Sequence, residues 1–452
     1  MQDCAIFAKK RKISAKYMVK DSGVMKVLII SNTVISKTGN MGKTILSYFQ
    51  SFCPEETAQF YIHAEVPTDV SVCGQYYRFT DKDALKSIFI PSIQGNSFSQ
   101  GDIDINRVDS RVDKGLESSA HTIGSKRTAG IYFARNAMWK MSRWFSPALK
   151  SWLEECNPDV IFFASGDYSF AYEIALKISD FLNVPLVVSC VDDFYVFNKN
   201  KDSFLGRIQH RAYMKTVFRT MERASSILSI CDMMSARYQE IFKKPCHTLH
   251  TAAADKKLTL NKAATAISYI GNLTCGRHRS LIELGTALSK VAPQMHIDVY
   301  SAETDKAIIS SLTNVAGIEF HGRISAENVL SVMENSRFVV HTESFDSYDM
   351  ERVKFSVSTK IAESLMYGPC LLAYGPKGIA SIDYLEENKA AYVISAQDNL
   401  ETELSAILDD TSGYDEVLAN ARKLARKNHS TAINSAKVRR WLQVAVDDYN
   451  AK

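Results

Sequence analysis

The chain lacks any uninterrupted apolar run near the ~20 residues a membrane-crossing helix needs, and its first residues do not read as a secretory leader. It lacks paired-cysteine spacing. Nine cysteines are scattered over 452 residues with no C-x-x-C, which argues against zinc-ribbon and dithiol-redox chemistry and fits reduced thiols in a cytosolic protein. It also lacks charge of one sign: 54 Lys and Arg stand against 50 Asp and Glu, a net +4, so nothing global selects nucleic acid. No convincing D-x-D pair for a divalent metal is present. The loop SKTGNMGKT falls short of a P-loop, because Lys37 stands where a glycine is needed five positions before Gly42. Metal independence, no bound cofactor and a cytoplasmic location are the expectations these absences leave.

What is present is a globular composition, 46% hydrophobic and 23% charged, in a chain of 452 residues, long enough for two domains. Short apolar runs alternate with helical patterns: MKVLIISN from Met25, AQFYIH, NPDVIFFAS, VPLVVSC, ASSILSIC and CHTLH, then AISYIGN, MHIDVYS, GIEFHG, RFVVH, CLLAY and AAYVI. Continuously apolar strands separated by helices predict an α/β protein with parallel sheets covered on both faces. Residues 1–24, with Lys9, Lys10, Arg11 and Lys12, are expected to form a disordered basic extension, with Met25 the favoured start. Residues 25–255 form the expected first domain, with a mobile polar loop at 93–126. Residues 265–413 form the second, and the charged helical tail 414–452, with Trp441 as an anchor, is expected to brace the first.

Residues 128–153 read as helical, with Ile131, Met138, Phe145 and Leu149 on one face. Between Ser118 and Leu153 there is no acidic residue, while Lys126, Arg127, Arg135, Lys140, Arg143 and Lys150 accompany Trp139, Trp144 and Trp152. Such a stretch suits an anionic membrane surface, which would make the protein peripheral on the inner face of the cytoplasmic membrane through 126–153. The alternative is a helix packed on the sheet with a solvated basic edge.

The most informative stretch runs from Arg337 to Pro376. RFVVH is a buried strand, a polar loop follows, Ser358-Thr359 caps a helix STKIAESLMY that stops at Gly368-Pro369, and CLLAY is the next strand. Open parallel sheets bind ligands beyond their strand ends, and a helix start with free N–H groups suits a diphosphate. Lys360 adds a cation there, and Glu363 lies one turn on. Elsewhere, Gly271-Asn272 ends a strand and Arg277 can hold phosphate oxygens bidentately. Asp192 and Asp193 end another strand. Gly39 and Gly42 lie in the loop after the first strand.

These segments resemble the donor-binding half of retaining glycosyltransferases with two Rossmann-like domains facing a cleft, the GT-B fold, family four or group 1-like, in its surface-polysaccharide branch. The carriers are Glu363 followed by Gly368-Pro-Cys-Leu-Leu, the S-x-S-T-K-I-x-E run from Ser356, and the strand-Gly-Asn start at Gly271. The resemblance implies a UDP- or GDP-sugar donor and a glycan or lipid-linked acceptor. It implies that Glu363 holds the ribose, and that Asn272 and Arg277 occupy the positions of two basic residues that clasp the diphosphate. Gly39 and Gly42 would lie at the cleft. The sequence departs from the family at Phe355, where a first glutamate is usual; Glu343 or Asp346 are the substitutes on the sugar side. Asp192 and Asp193 stand near the place of a family histidine directed at the transferred sugar, and are the catalytic candidates. A nucleotide-sugar epimerase and a non-catalytic scaffold are the competing readings.

Overall fold

The computed structural model describes residues 24–37, 40–103, 129–197, 203–254 and 256–452. Residues 1–23, Gly39 and 104–128, including Lys126 and Arg127, lie outside the described residues.

Two sheets carry the fold. The first comprises β1 (Val27–Ser31), β2 (Thr57–Tyr61), β3 (Gln75–Arg78), β4 (Asn96–Ser99), β5 (Val160–Ala164), β6 (Leu186–Cys190), β7 (Ser226–Ser229) and β8 (Cys246–Thr248). Their order is β4-β3-β2-β1-β5-β6-β7-β8, with β4 antiparallel to β3 and the other pairs parallel. The second comprises β9 (Ala266–Ile270), β10 (Ile297–Tyr300), β11 (Ile318–Gly322), β12 (Ser336–Thr342), β13 (Cys370–Tyr374) and β14 (Tyr392–Ile394). Its order is β11-β10-β9-β12-β13-β14, parallel throughout. Apolar runs such as VLIIS, VIFFA and CLLAY are buried along their whole length, because helices cover both faces of each sheet. In both sheets the order reverses beside the first strand, between β1 and β5 and between β9 and β12. Those are the switch points where loops at strand carboxyl ends splay to opposite faces and leave a crevice.

Three sequence expectations are corrected. β4 lies inside the stretch 93–126 read as loop; it pairs Asn96–Ser99 with β3 through a polar strand whose alternation is too weak to stand out. The stretch 128–153 is two helices, Ala129–Met141 and Pro147–Cys156. Pro147 sits in the first turn of the second, where its missing N–H costs nothing, and Ser146 caps it through Leu149 N. Its tryptophans do not face solvent. Trp139, Trp144 and Trp152 are buried, and Trp139 donates to Asp81 at 2.7 Å, the carboxylate that also pairs with Arg135. The acid missing from the local sequence is supplied from another helix, so the tryptophans of 126–153 are part of the core and not a membrane face.

The third correction concerns the tail. Helix Tyr414–Asn428 stays with the second domain, packed on helix Thr359–Tyr367, whose last carbonyls, Ser364 O and Leu365 O, accept from Arg422. Helix Thr431–Asn450 crosses to the first domain. It packs on helix Asn40–Tyr48, its Arg439 holds Glu56 at 2.7 and 2.9 Å, and Trp441 stacks on His247 with centroids 4.9 Å apart.

The chain therefore passes between domains twice, and the two passages pair. Ala253 bridges Ser430, Ala253 N donates to His429 O, and Thr431 Oγ1 donates to Ala253 O. Behind them His429 donates from Nδ1 to Thr251 O (2.7 Å) and, as a neutral ring, accepts at Nε2 from the Tyr384 hydroxyl (3.0 Å), and His250 packs 5.4 Å away, centroid to centroid. Burial pushes both imidazoles down to about 4. An unfolded histidine titrates near ~6.5, so this stability is fully present above that pH and is lost as the pH falls toward the folded value. For the fully buried His429 the window is worth about 3 kcal/mol. The melting temperature is expected to fall steeply from about pH 6.5 to pH 4, and His429→Gln is expected to flatten that slope while lowering stability at neutral pH. An unchanged slope in the variant would remove His429 as its source.

Candidate functional site

A cavity of about 310 Å³ opens between the domains, within the range of small-molecule sites. Its floor is the carboxyl edge of the second sheet. Gly271 and Asn272 follow β9, His341 comes from β12, and Ser358, Thr359, Lys360 and Glu363 come from the start of helix Thr359–Tyr367. Arg277 reaches in from the first turn of helix Arg277–Val291. Lys43 and Thr44, from helix Asn40–Tyr48, and Thr251 and Ala252, from the first passage between domains, close the opposite wall. A larger hollow of about 570 Å³ lies by Lys26, Glu56 and Gln75, at the amino ends of β1–β3. That is the edge away from the switch points, so the interdomain cavity is the candidate.

The helix start is built as the sequence suggested. Ser358 is extended, and its hydroxyl accepts from Lys360 N. No carboxylate lies in the first turn, so the positive end of the helix is left for a ligand. Lys360 Nζ and Glu363 Oε2 meet at 2.7 Å.

Arg277 is set by a more demanding arrangement. Gly276, at φ +70°, caps its helix; a side chain there would run into Asp349 and Ser344. The guanidinium then makes a two-pronged pair with Glu343, Nη2–Oε1 at 2.8 Å and Nε–Oε2 at 3.1 Å, and gives Nη1 to Asn272 Oδ1 at 2.9 Å. Glu343 is 1% exposed. Burial raises its carboxyl against the opposing pull of Arg277, while the Glu343 charge holds the guanidinium pKa up against its own burial. Three of five guanidinium N–H donors are engaged, leaving two that could meet phosphate oxygens. His341, beside the pair and hydrogen bonded to Ser381, is pushed down to about 3 by burial and by Arg277. It is neutral near pH 7.

The seven donor-side residues read from the sequence, Gly271, Asn272, Arg277, Ser358, Thr359, Lys360 and Glu363, thus line one cavity. Among the described residues, the other candidates do not line it. Glu343 lies behind Arg277 as its buried counter-ion. Asp346 caps helix Ser347–Val353, accepting from Tyr348 N and Asp349 N. Asp193 accepts from Tyr195 N, Val196 N and the Tyr238 hydroxyl, all at Oδ1, and does not line the cavity. Asp192 takes the Ser356 hydroxyl of the other domain at 2.8 Å. It is an interdomain contact, joined by Phe197 against Tyr348 and by Cys231 Sγ donating to Phe355 O. Phe355 itself is buried at 7% exposure. Gly42 lies too close to Val34 O to accept a side chain, and the two residues after it, Lys43 and Thr44, line the cavity. Sequence reasoning missed Lys43, Thr44 and His341; the G-K-T run was the available signal for the first two.

The fold is that of GT-B glycosyltransferases, an α/β structure of two parallel-dominated sheets. Residues 279–439 match the family described as Glycosyl transferase-like. Among solved structures, Anabaena HepE in complex with UDP is similar with a TM-score of 0.59 and 12% identity, covering 93% of this chain and 100% of that one. HepE is also described in complex with UDP-glucose. Sucrose-phosphate synthase from Thermosynechococcus elongatus aligns with a TM-score of 0.56 and 10% identity over 94% of this chain and 100% of the other. A glycosyltransferase from Rickettsia africae gives 0.55 and 10% over 94% and 98%. Comparison of the sequence with curated proteins returns no match.

Removing one partner of a buried ion pair leaves the other charge uncompensated, at about 3–5 kcal/mol. Glu343→Ala is therefore expected to destabilise by that amount in denaturant unfolding, whereas Asp346→Ala, the loss of a helix cap, is expected to cost about 1 kcal/mol. Equal losses would deny Glu343 its counter-ion role.

Proposed function

We propose that this protein is a glycosyltransferase that moves a sugar from a UDP- or GDP-sugar to a hydroxyl of a glycan or lipid-linked saccharide in cell-surface polysaccharide synthesis, with retention of configuration. The observation that carries the reading is the convergence of Arg277, Lys360 and the open start of helix Thr359–Tyr367 on one interdomain cavity. The similarity of residues 279–439 to glycosyl transferases, and of the fold to HepE, which binds UDP-glucose, supports it.

On this reading the donor diphosphate meets the helix amides, Lys360 and the two remaining Arg277 donors. As the bond from C1 to the phosphate oxygen breaks, charge builds on the diphosphate, and these preorganised groups stabilise it. Charge compensation falls to these side chains and amides, with no role assigned to a metal. The acceptor oxygen attacks C1 from the same face, and its proton passes to the leaving phosphate. Glu363 takes a ribose hydroxyl once Lys360 turns to phosphate. Lys43, across the cavity, is positioned for either substrate. Placement on the inner face of the cytoplasmic membrane belongs to the same proposal, because a lipid-linked acceptor would be reached there.

The scaffold reading draws on Phe355, an apolar side chain where a glutamate is expected, and it shares donor binding but not transfer. Thermal stabilisation by a panel of nucleotides and nucleotide-sugars is the first measurement. A true donor at ~100 Kd stabilises by about 2.7 kcal/mol, and Lys360→Ala is expected to abolish most of that shift. Absence of a shift with every UDP- and GDP-sugar would overturn the proposal. Donor binding without transfer to any acceptor would favour the scaffold.

A further inference from the structure

On the outer part of the second sheet, the face of β10 and β11 opposite the Ile297, Val299 and Ile318 core carries a cluster of a different kind. Asp298 and Glu319 are register partners on adjacent parallel strands. His296 lies two residues before Asp298, and His321 two residues after Glu319, so all four share one face. Between Val299 and Tyr300 the register slips by one residue, with Tyr300 opposite Gly322 in place of His321, and the extra residue in β11 is His321 itself. Gly322, at φ +75°, permits the irregularity.

The ligand atoms converge. His321 Nε2 is 2.7 Å from Asp298 Oδ1, and His296 Nε2 is 3.4 Å from that same oxygen and 3.3 Å from Glu319 Oε2. His321 Nε2 is 3.9 Å from Glu319 Oε1. A tetrahedral site with bonds near 2.0 Å has edges of roughly 3.3 Å; the ligand atoms of His296, Asp298 and Glu319 lie within 4.8 Å of one another, and His321, 2.7 Å from the Asp298 oxygen, stands beside them as the fourth. Among the described residues, neither carboxylate has a Lys or Arg partner in an ion pair. Two carboxylates face each other across the strands, an arrangement that like charges disfavour. The Tyr300 ring stacks on His321 with centroids 4.8 Å apart.

We infer that His296, Asp298, Glu319 and His321 form a surface binding site for a divalent transition cation of the Zn²⁺ class, separate from the interdomain cavity. Two imidazoles and two carboxylates on rigid strands form a borderline-soft donor set suited to Zn²⁺ or Co²⁺ more than to Mg²⁺ or Ca²⁺. A bound ion ties edge strand β11 to β10 and offsets the facing charges. None of the four residues lines the donor cavity, so the inference stands independently of the proposed function.

Tag-free protein stripped with EDTA is titrated with Zn²⁺ by calorimetry and with Co²⁺ by visible absorption. About one equivalent is expected to bind, with the Co²⁺ bands of a four-coordinate site. His296→Ala and His321→Ala are each expected to weaken binding by roughly tenfold or more, since losing even an outer-shell partner costs about that, and the double variant is expected to lose it. Both side chains are partly exposed at the sheet surface, and an unchanged melting temperature of the stripped variants shows that they fold. No Zn²⁺ binding by the parent at about 100 µM, or parent-like binding by the double variant, overturns the inference.

Discussion

The pair between Arg277 and Glu343 is the constraint on which the cleft rests. A guanidinium charge so poorly exposed is costly to bury without a partner, and Glu343 supplies the opposite charge from the loop after β12. The pairing fixes the loop after β9, the start of helix Arg277–Val291 and the loop before Ser347 in one arrangement. It also leaves the floor of the cleft self-neutralised. Arg277 holds Glu343, and Lys360 holds Glu363. An anionic ligand therefore meets an exchangeable cation in Lys360 and a fixed one in Arg277. On the proposed reading, drawing Lys360 onto phosphate releases Glu363 for a sugar hydroxyl, so a single movement readies two contacts.

The sequence made the sheets legible because buried parallel strands read as unbroken apolar runs, and VIFFA or CLLAY has no other reading in an α/β pattern. The cavity was legible for a related reason: strand ends and helix starts announce themselves through Gly271-Asn272 and Ser358-Thr359. What stayed hidden was ownership of the charged side chains. Glu343 is 66 residues from Arg277, and Asp81 is 58 residues from Trp139. Residue type reveals that a carboxylate is available, but not which distant group has claimed it. Asp193 looked free for chemistry and is held by a tyrosine 45 residues away. The tryptophans of 126–153 suited a membrane surface as well as a packed helix because their acidic and aromatic partners lie elsewhere in the chain.

Among the described residues, the two domains also meet through contacts of mixed kind: Asp192 with Ser356, Phe197 with Tyr348, Cys231 with the Phe355 carbonyl. They contrast with the dense packing within each sheet's layers. A single buried apolar cluster also runs across this junction, from Ile230, Cys231 and Met234 to Val353, Phe355 and Val357.

Helix Thr431–Asn450 has a consequence for how the molecule is made. It follows the whole of the second lobe in sequence, yet it packs against the lobe built on β1 and β2, closing over Asn40–Tyr48 and meeting Glu56. During synthesis the amino-terminal lobe emerges first and waits, its flank uncovered, until the ribosome has delivered the whole of the other lobe. Completion of the amino-terminal lobe depends on residues translated after the whole of the other lobe, so termination before Thr431 would harm the half already made.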